Sequence, residues 1–314
     1  MSWRPLRLNL RQAWLAAGVG LGLLTAPAVF AGINVPWKTM GGPQFWADVA
    51  VRSEWRVQRN VTTGHHRLLD PSEVRRAWGS ADHCLRALDA SPHATAARGE
   101  VVVMLHGTFS HRRAMKRLGE YLEAAGSVEV VNVGYPSTRA GISTHAADLA
   151  AVIDRLGPEV TRIHFAAHSL GNLVVREYLR DPKLSKRLID SGRLGRFAMI
   201  TPPNQGADLA RLFEDVPGFH VVMKGVGQDL IRHDLDQRLG TPPCAFGIIV
   251  GGKGNKPGGY NPLLRGDDDL ILRVSETHLD GAAAVIFFRK AHKPMLSHKP
   301  AQAATLRFLQ TGAF

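Results

Sequence analysis

Ala167-His168-Ser169-Leu170-Gly171 is the stretch of this sequence best suited to do chemistry. A serine with small residues two before and two after, where an apolar strand turns abruptly into a helix, has the context of a nucleophile elbow. The turn forces the serine into strained backbone angles and lifts its hydroxyl off the sheet. The residues two before and two after must be small because they nearly touch. The N–H of Leu170, at the helix start, then points to where an oxyanion would form. Glycine usually holds the first small position, and Ala167 replaces it at little steric cost. His168 is expected to face away from Ser169 along extended chain and to pack rather than act as a base. His106-Gly107-Thr108 ends a second apolar run. Gly107 lets the backbone approach a reacting carbonyl, and the Thr108 N–H offers a second oxyanion donor.

A serine hydroxyl needs a base, and the base needs an orienting acid. Downstream of Ser169 stand His220, His233, His278, His292 and His298. Only His292 follows directly on an apolar strand, read as buried, and precedes the closing helix; His298 is its nearest rival and His278 a weaker one. The acid is expected in the preceding strand-end loop, where Asp267, Asp268 and Asp269 are adjacent. A solvated or calcium-binding loop is the competing reading of that run. His65-His66 has no second pair at ligand spacing, so no metal site is expected.

The elements that would position these residues begin near residue 100. A continuous apolar run at 101–106 reads as a strand buried on both faces, and 128–136, 162–169, 196–201, 246–252 and 284–290 read as further strands. Helical periodicity fills 112–126, 143–157, 170–181 and 301–310. The alternation predicts an α/β fold with a mostly parallel sheet flanked by helices. Strand C-termini then converge on one edge. Residues 208–245 interrupt the pattern with helical fragments and read as a cap-like insertion in a catalytic core spanning 99–314. Residues 32–98 read as the sheet's first strands and a covering helix. They hold a hairpin around Thr62-Thr63-Gly64, a helix started by Asp70-Pro71-Ser72-Glu73 that runs towards Trp78, and a second helix start near Ser80.

Five stretches together resemble the α/β-hydrolase superfamily, in its bacterial lipase/serine-esterase branch. They are VVMLHGTFSH (102–111), AAHSLGNLVVREYL (166–179), ITPPNQGADLA (200–210), GDDDLILRVSETHLDGA (266–282) and AHKPMLSHKPAQAATLRFL (291–309). The resemblance covers roughly residues 100 to 314. It implies the α/β-hydrolase fold and a Ser-Asp-His triad of Ser169, Asp269 and His292, with Thr108 and Leu170 as oxyanion donors. The branch usually has Gly after the acid. This chain has Leu270, which keeps Asp267 and Asp268 open. The expected activity is hydrolysis of a carboxylic ester or lipid, without metal or organic cofactor. Acyl transfer, thioester or amide cleavage by the same triad, and a non-catalytic binding role, are the alternatives.

Composition is ordinary for a globular chain: 314 residues, 45% hydrophobic and 21% charged. The net charge of +12 points to nucleic acid or an anionic membrane surface as a partner, but a mildly basic solvated surface is the preferred reading. The basic residues are scattered, with no aromatic interleaving, which argues against nucleic acid as a partner. Residues 1–31 have the grammar of a secretory signal peptide. Arg4, Arg7 and Arg11 precede an apolar run from Ala13 to Leu24, and Ala26, Ala28 and Ala31 follow. Export to the periplasm or medium is expected, with an uncleaved membrane anchor as the alternative. Two cysteines, Cys84 and Cys244, exclude a disulfide scaffold and a cysteine zinc site, and read either as one bridge in an oxidising compartment or as two unrelated buried thiols.

Overall fold

A computed structural model describes residues 42–314, apart from 224 and 256. The leader read over residues 1–31 lies outside the described residues.

Six strands form the central sheet: β5 (Gly99–Leu105), β6 (Glu129–Val133), β7 (Val160–His168), β8 (Leu194–Ile200), β9 (Phe246–Gly252) and β10 (Ala284–Arg289). Four other strands precede them in the chain. All pair in parallel, in the order β10-β9-β8-β7-β5-β6. Continuous apolar runs suit this sheet because both faces are covered. Val101, Val103 and Leu105 point to one side, against Ile142 and Leu149 of one helix and Leu173 and Val174 of another. Val102 and Met104 point to the other, against Leu118, Leu122 and Phe308.

The chain enters the sheet at β5, crosses to β6 on one side, then returns to β7 on the other. The loops leaving β5 and β7 therefore depart in opposite directions from adjacent strand ends. Such a switch point opens a crevice beyond the strands' carboxyl ends. Leu105 pairs with Ala167, so the two ends are level. The strand before His292 differs from expectation. It is the sheet's edge, and Val285 and Phe287 are exposed on it.

The segment before residue 99 also departs from the sequence reading. Its strands β1 (Trp46–Arg52), β2 (Trp55–Asn60), β3 (His66–Leu69) and β4 (Arg75–Gly79) make a separate antiparallel sheet rather than extending the central one. The hairpin forms where expected: the Asn60 side chain accepts the Thr62 and Thr63 N–H groups, and Gly64 has positive φ. Helix α1 (Ala81–Asp89) starts at Ser80, whose hydroxyl accepts the His83 N–H. No helix follows Asp70-Pro71. Asp70 instead accepts the Val74 N–H at 2.9 Å and closes a turn, and β4 pairs with β3. An Asp-Pro start suits a turn as well as a helix cap, and strand pairing decided between them. Buried Asp48 fastens this sheet to the core, accepting from Arg56 Nη1 at 2.6 Å and from the Gly134 N–H at 2.7 Å.

The remaining helices are α2 (Lys116–Gly126), α3 (Ile142–Ile153), α4 (Leu170–Arg180), α5 (Pro182–Asp190), four short ones, and α10 (Lys299–Thr311). The short helices are α6 (Asp208–Leu212), α7 (Phe219–Val222), α8 (Val226–Leu230) and α9 (Leu235–Leu239), within the segment read as an insertion. Among the described residues, no helix is long and apolar enough to cross a membrane.

Candidate active site

Ser169 stands at the junction of β7 and α4 with φ 53° and ψ −124°. A non-glycine residue held there is strained, a cost of order 1–3 kcal/mol that its surroundings must impose. Two contacts impose it. The Ser169 N–H donates to the Ile200 carbonyl at 3.0 Å. The Asn172 side chain donates to the carbonyls of Ser169 (2.9 Å) and Ile200 (3.2 Å). Asn172 is fully buried, and sequence reading passed over it. A lone polar residue at the start of an apolar helix was the available signal.

Gly171 is small for a reason other than the one expected. A Cβ there would come within 2.8 Å of Leu105 and 2.9 Å of the His106 carbonyl, so strand β5 sets the limit rather than Ala167. Gly107 is constrained by the serine itself, since a Cβ would lie 2.9 Å from Ser169 Cβ. Thr108 follows on the same loop. Leu170 opens α4, so its N–H has no acceptor within the helix.

His292 and Asp269 meet directly. Nδ1 of His292 lies 2.6 Å from Asp269 Oδ2, and both side chains are buried. A second bond runs from the His292 N–H to the Asp269 carbonyl at 2.8 Å. Asp269 Oδ1 accepts the N–H groups of Ile271 (3.1 Å) and Leu272 (2.8 Å). The other two aspartates are engaged elsewhere. Asp267 accepts from Lys253 and Gly254, and Asp268 from Tyr260, Asn261 and Leu270. Neither His298 nor His278 lines the cavity that holds Ser169.

Leu270, after the acid, has φ 90° and is exposed. The position thus demands the conformation glycine adopts freely. Leu270→Gly is expected to raise stability by about 1 kcal/mol, the left-handed penalty it removes. A denaturant midpoint that falls in the variant would contradict this.

His168 differs from expectation. It shares the cavity wall with Ser169, because the turn at the serine breaks the extended alternation. Its Nε2–H donates to the His292 carbonyl at 3.2 Å, and the two rings lie 4.6 Å apart. Burial, then the charge of His292, pushes its pKa well down, so it is neutral beside a base that must become charged. His106 is likewise depressed to about 4 by burial, and His145 to about 3 by burial and by His106. These three imidazoles are neutral when folded and take up a proton below pH 6.5 when unfolded. The unfolded state then binds more protons, so stability is full above about pH 6.5 and falls with pH below it. Each group contributes up to about 1.4 kcal/mol per pH unit. Thermal melts between pH 7.5 and 5.5 are expected to stay level at first and then drop. A level profile throughout would count against neutral burial.

Ser169 and His292 line one cavity of about 640 Å³. No hydrogen bond joins them among the described residues, and such bonds often tighten only with substrate present. Gly107, Thr108, Phe109 and Leu272 form part of the wall, and Leu209, Ala210, Phe213, Phe219, Met223 and Leu230 from the short-helix segment form much of the rest. The wall is mostly apolar, with Lys293 as a cationic member; His111 also lines it, its pKa lowered by burial and then by Arg113 and Arg112. Pro203 adds to it from the Pro-Pro-Asn stretch. Asn204 locks that stretch in place, accepting from Arg176 at 3.0 Å and donating to the Thr277 carbonyl at 2.9 Å. Both cysteines are free.

Phospholipase PlaB from Legionella pneumophila superposes with a TM-score of 0.51 at 16% identity, over 69% of this chain and 60% of that one. The matched part thus spans about three fifths of PlaB. Bacillus licheniformis lipase BlEst2 in its mature form gives 0.48 at 15% identity, over 66% and 89%. The metagenomic carboxyl esterase MGS0156 gives 0.47 at 14% identity, over 69% and 70%. Identities this low bear on fold alone. No curated protein matches the sequence. Residues 102–304 match the alpha/beta hydrolase family over their whole run, from β5 into the closing helix. Sheet order, the strained serine at the β7–α4 junction and that sequence match agree, and the chain belongs to the alpha/beta hydrolase family.

Proposed function

We propose that this protein is a serine hydrolase of carboxylic esters with an apolar acyl group. The observation that carries the reading is the buried 2.6 Å contact between His292 and Asp269, at a cavity whose wall also holds the strained Ser169. His292 takes the Ser169 proton as Oγ attacks the ester carbonyl, and Asp269 holds Nδ1–H and stabilises the imidazolium. The carbonyl oxygen becomes an oxyanion facing the Thr108 and Leu170 N–H groups. His292 returns the proton to the departing alkoxide. Water then adds to the acyl-enzyme by the same route, releasing the acid and restoring Ser169. The apolar wall favours acyl chains over polar groups. PlaB, which shares the fold, is a phospholipase by name, which supports a lipid among the proposed substrates.

A lipid surface is the proposed setting. Phe109 (60% exposed) and Phe213 (43% exposed) line the cavity and also face solvent, and Leu212 and Val221 of the same short-helix segment are exposed beside it in sequence. Export rests on the leader sequence, and is tested by the N-terminus of the protein recovered from cell fractions: a start at residue 29 or 32 supports cleavage, an intact leader in membranes supports an anchor. The activity is tested with p-nitrophenyl esters of two to sixteen carbons. Release of nitrophenol that depends on chain length supports the reading. No turnover without an added alcohol, thiol or amine acceptor would turn it towards acyl transfer.

A further inference from the structure

A second cavity, of about 270 Å³, lies between the antiparallel sheet and the carboxyl ends of β5 and β6. Its wall brings together Arg67, Arg112, Arg113 and His111, with Glu73 as the only carboxylate among the described residues that line it. Glu73 holds two of the guanidiniums, accepting from Arg112 and Arg113 at 2.5 Å each. It does so from a positive φ of 63°, a conformation that a glutamate adopts only under constraint.

Among the described residues, no carboxylate hydrogen bonds with Arg67. It is only 8% exposed, lies 3.8 Å over the Trp46 ring, and donates Nε and Nη2 to the same oxygen of Gln58. Its Nη1 hydrogen bonds with no described residue, although the side chain forms part of the cavity wall. Arg112 Nε is also buried with no hydrogen-bond partner among the described residues. Burial pushes the Arg67 pKa down to about 10 against the pull of Asp48 and Glu73, as expected of a cation short of compensation. Guanidinium groups with unused donors in a concave site are suited to oxyanions that accept several hydrogen bonds.

We propose that this cavity binds a small tetrahedral oxyanion of the phosphate class, either carried on an ester substrate or free in solution. The ester-borne case rests on the function proposed above; the site itself does not. The cavity adjoins the catalytic one through His111, which lines both. The two cavities also share one loop: His106 and 111–113 face the basic side, and 107–111 face Ser169. An anion held by Arg67 and Arg112 therefore sits at the root of the loop that presents the Thr108 N–H.

Titration calorimetry of inorganic phosphate into the full chain carrying Ser169→Ala reads the site without turnover. Saturable binding is expected. In that background Glu73→Gln, which removes the resident carboxylate, should tighten binding about fivefold, and Arg67→Met should weaken it at least tenfold. Each variant is checked by its thermal melt; if Arg67→Met fails to fold, the sign of the Glu73→Gln effect decides. No saturable heat in either the parent or the Glu73→Gln form, or equal affinity in both, overturns the proposal. The source of the anion is then read with the active chain on 1-oleoylglycerol and its 3-phosphate. A KM at least tenfold lower for the phosphate ester, with free phosphate competing against it alone, supports a substrate group. Equal KM values, with free phosphate shifting both alike, support a free anion. Phosphate binding without hydrolysis of any ester would sink the ester reading and leave the site standing.

Discussion

Ser169→Ala is expected to lower kcat on a short-chain p-nitrophenyl ester by about 10⁴- to 10⁶-fold, with little change in KM. The size follows from the route. Without Oγ there is no acyl-enzyme, and only the oxyanion donors and substrate binding remain. Those alone sustain a residual ~10³–10⁴-fold acceleration over water. His292→Ala should cost about as much, and the double variant little more, because the two act as one unit. The strain at Ser169 adds a second expectation. Removing Oγ leaves φ unchanged, so Ser169→Ala should keep its melting temperature within a few degrees. A variant with half the parent's activity would remove Ser169 from the mechanism.

Asp269→Asn is the second large effect. The amide can still meet His292, but it offers either an N–H donor or a weaker acceptor, so the imidazole loses the tautomer it needs and the charge that stabilises its protonated form. A loss of about 10⁴ in kcat is expected near neutral pH. Asp267→Asn and Asp268→Asn act on loop structure instead. Asp267 carboxylate oxygens accept backbone N–H groups of 253–254, and Asp268 those of 260, 261 and 270. Stability should change in those variants more than turnover. A kcat for Asp269→Asn within tenfold of the parent would show that the 2.6 Å contact is structural only.

Much of the core was legible because parallel strands covered on both faces carry their own mark. VVVML at 101–105 needs no alternation, and the structure buries all five residues. The serine turn was legible because strand, small residue and helix stand in fixed order. The separate antiparallel sheet was not, since sheet membership depends on pairing between distant segments. Asp70-Pro71 illustrates the limit: the same residues cap a helix or close a turn, and pairing of β4 with β3 decided. His168 was misread by carrying strand alternation through a residue that ends the strand. Which aspartate meets His292 could not be read from three adjacent identical residues. Leu270 held the clue in reverse, since its positive φ marks the place where glycine is at ease. Arg67 and Glu73, far from the serine in sequence, gave no sign of sharing a cavity wall with His111.

The most direct measurement is labelling of the full chain with a fluorophosphonate probe, followed by peptide mass spectrometry to find the modified residue. The probe phosphonylates a serine that a neighbouring base has activated. Label on Ser169, absent in Ser169→Ala and nearly absent in His292→Ala, is the expected result. No label on well-folded protein, with and without detergent to open the short-helix segment over the cavity, would contradict an activated Ser169 and the ester chemistry drawn from it.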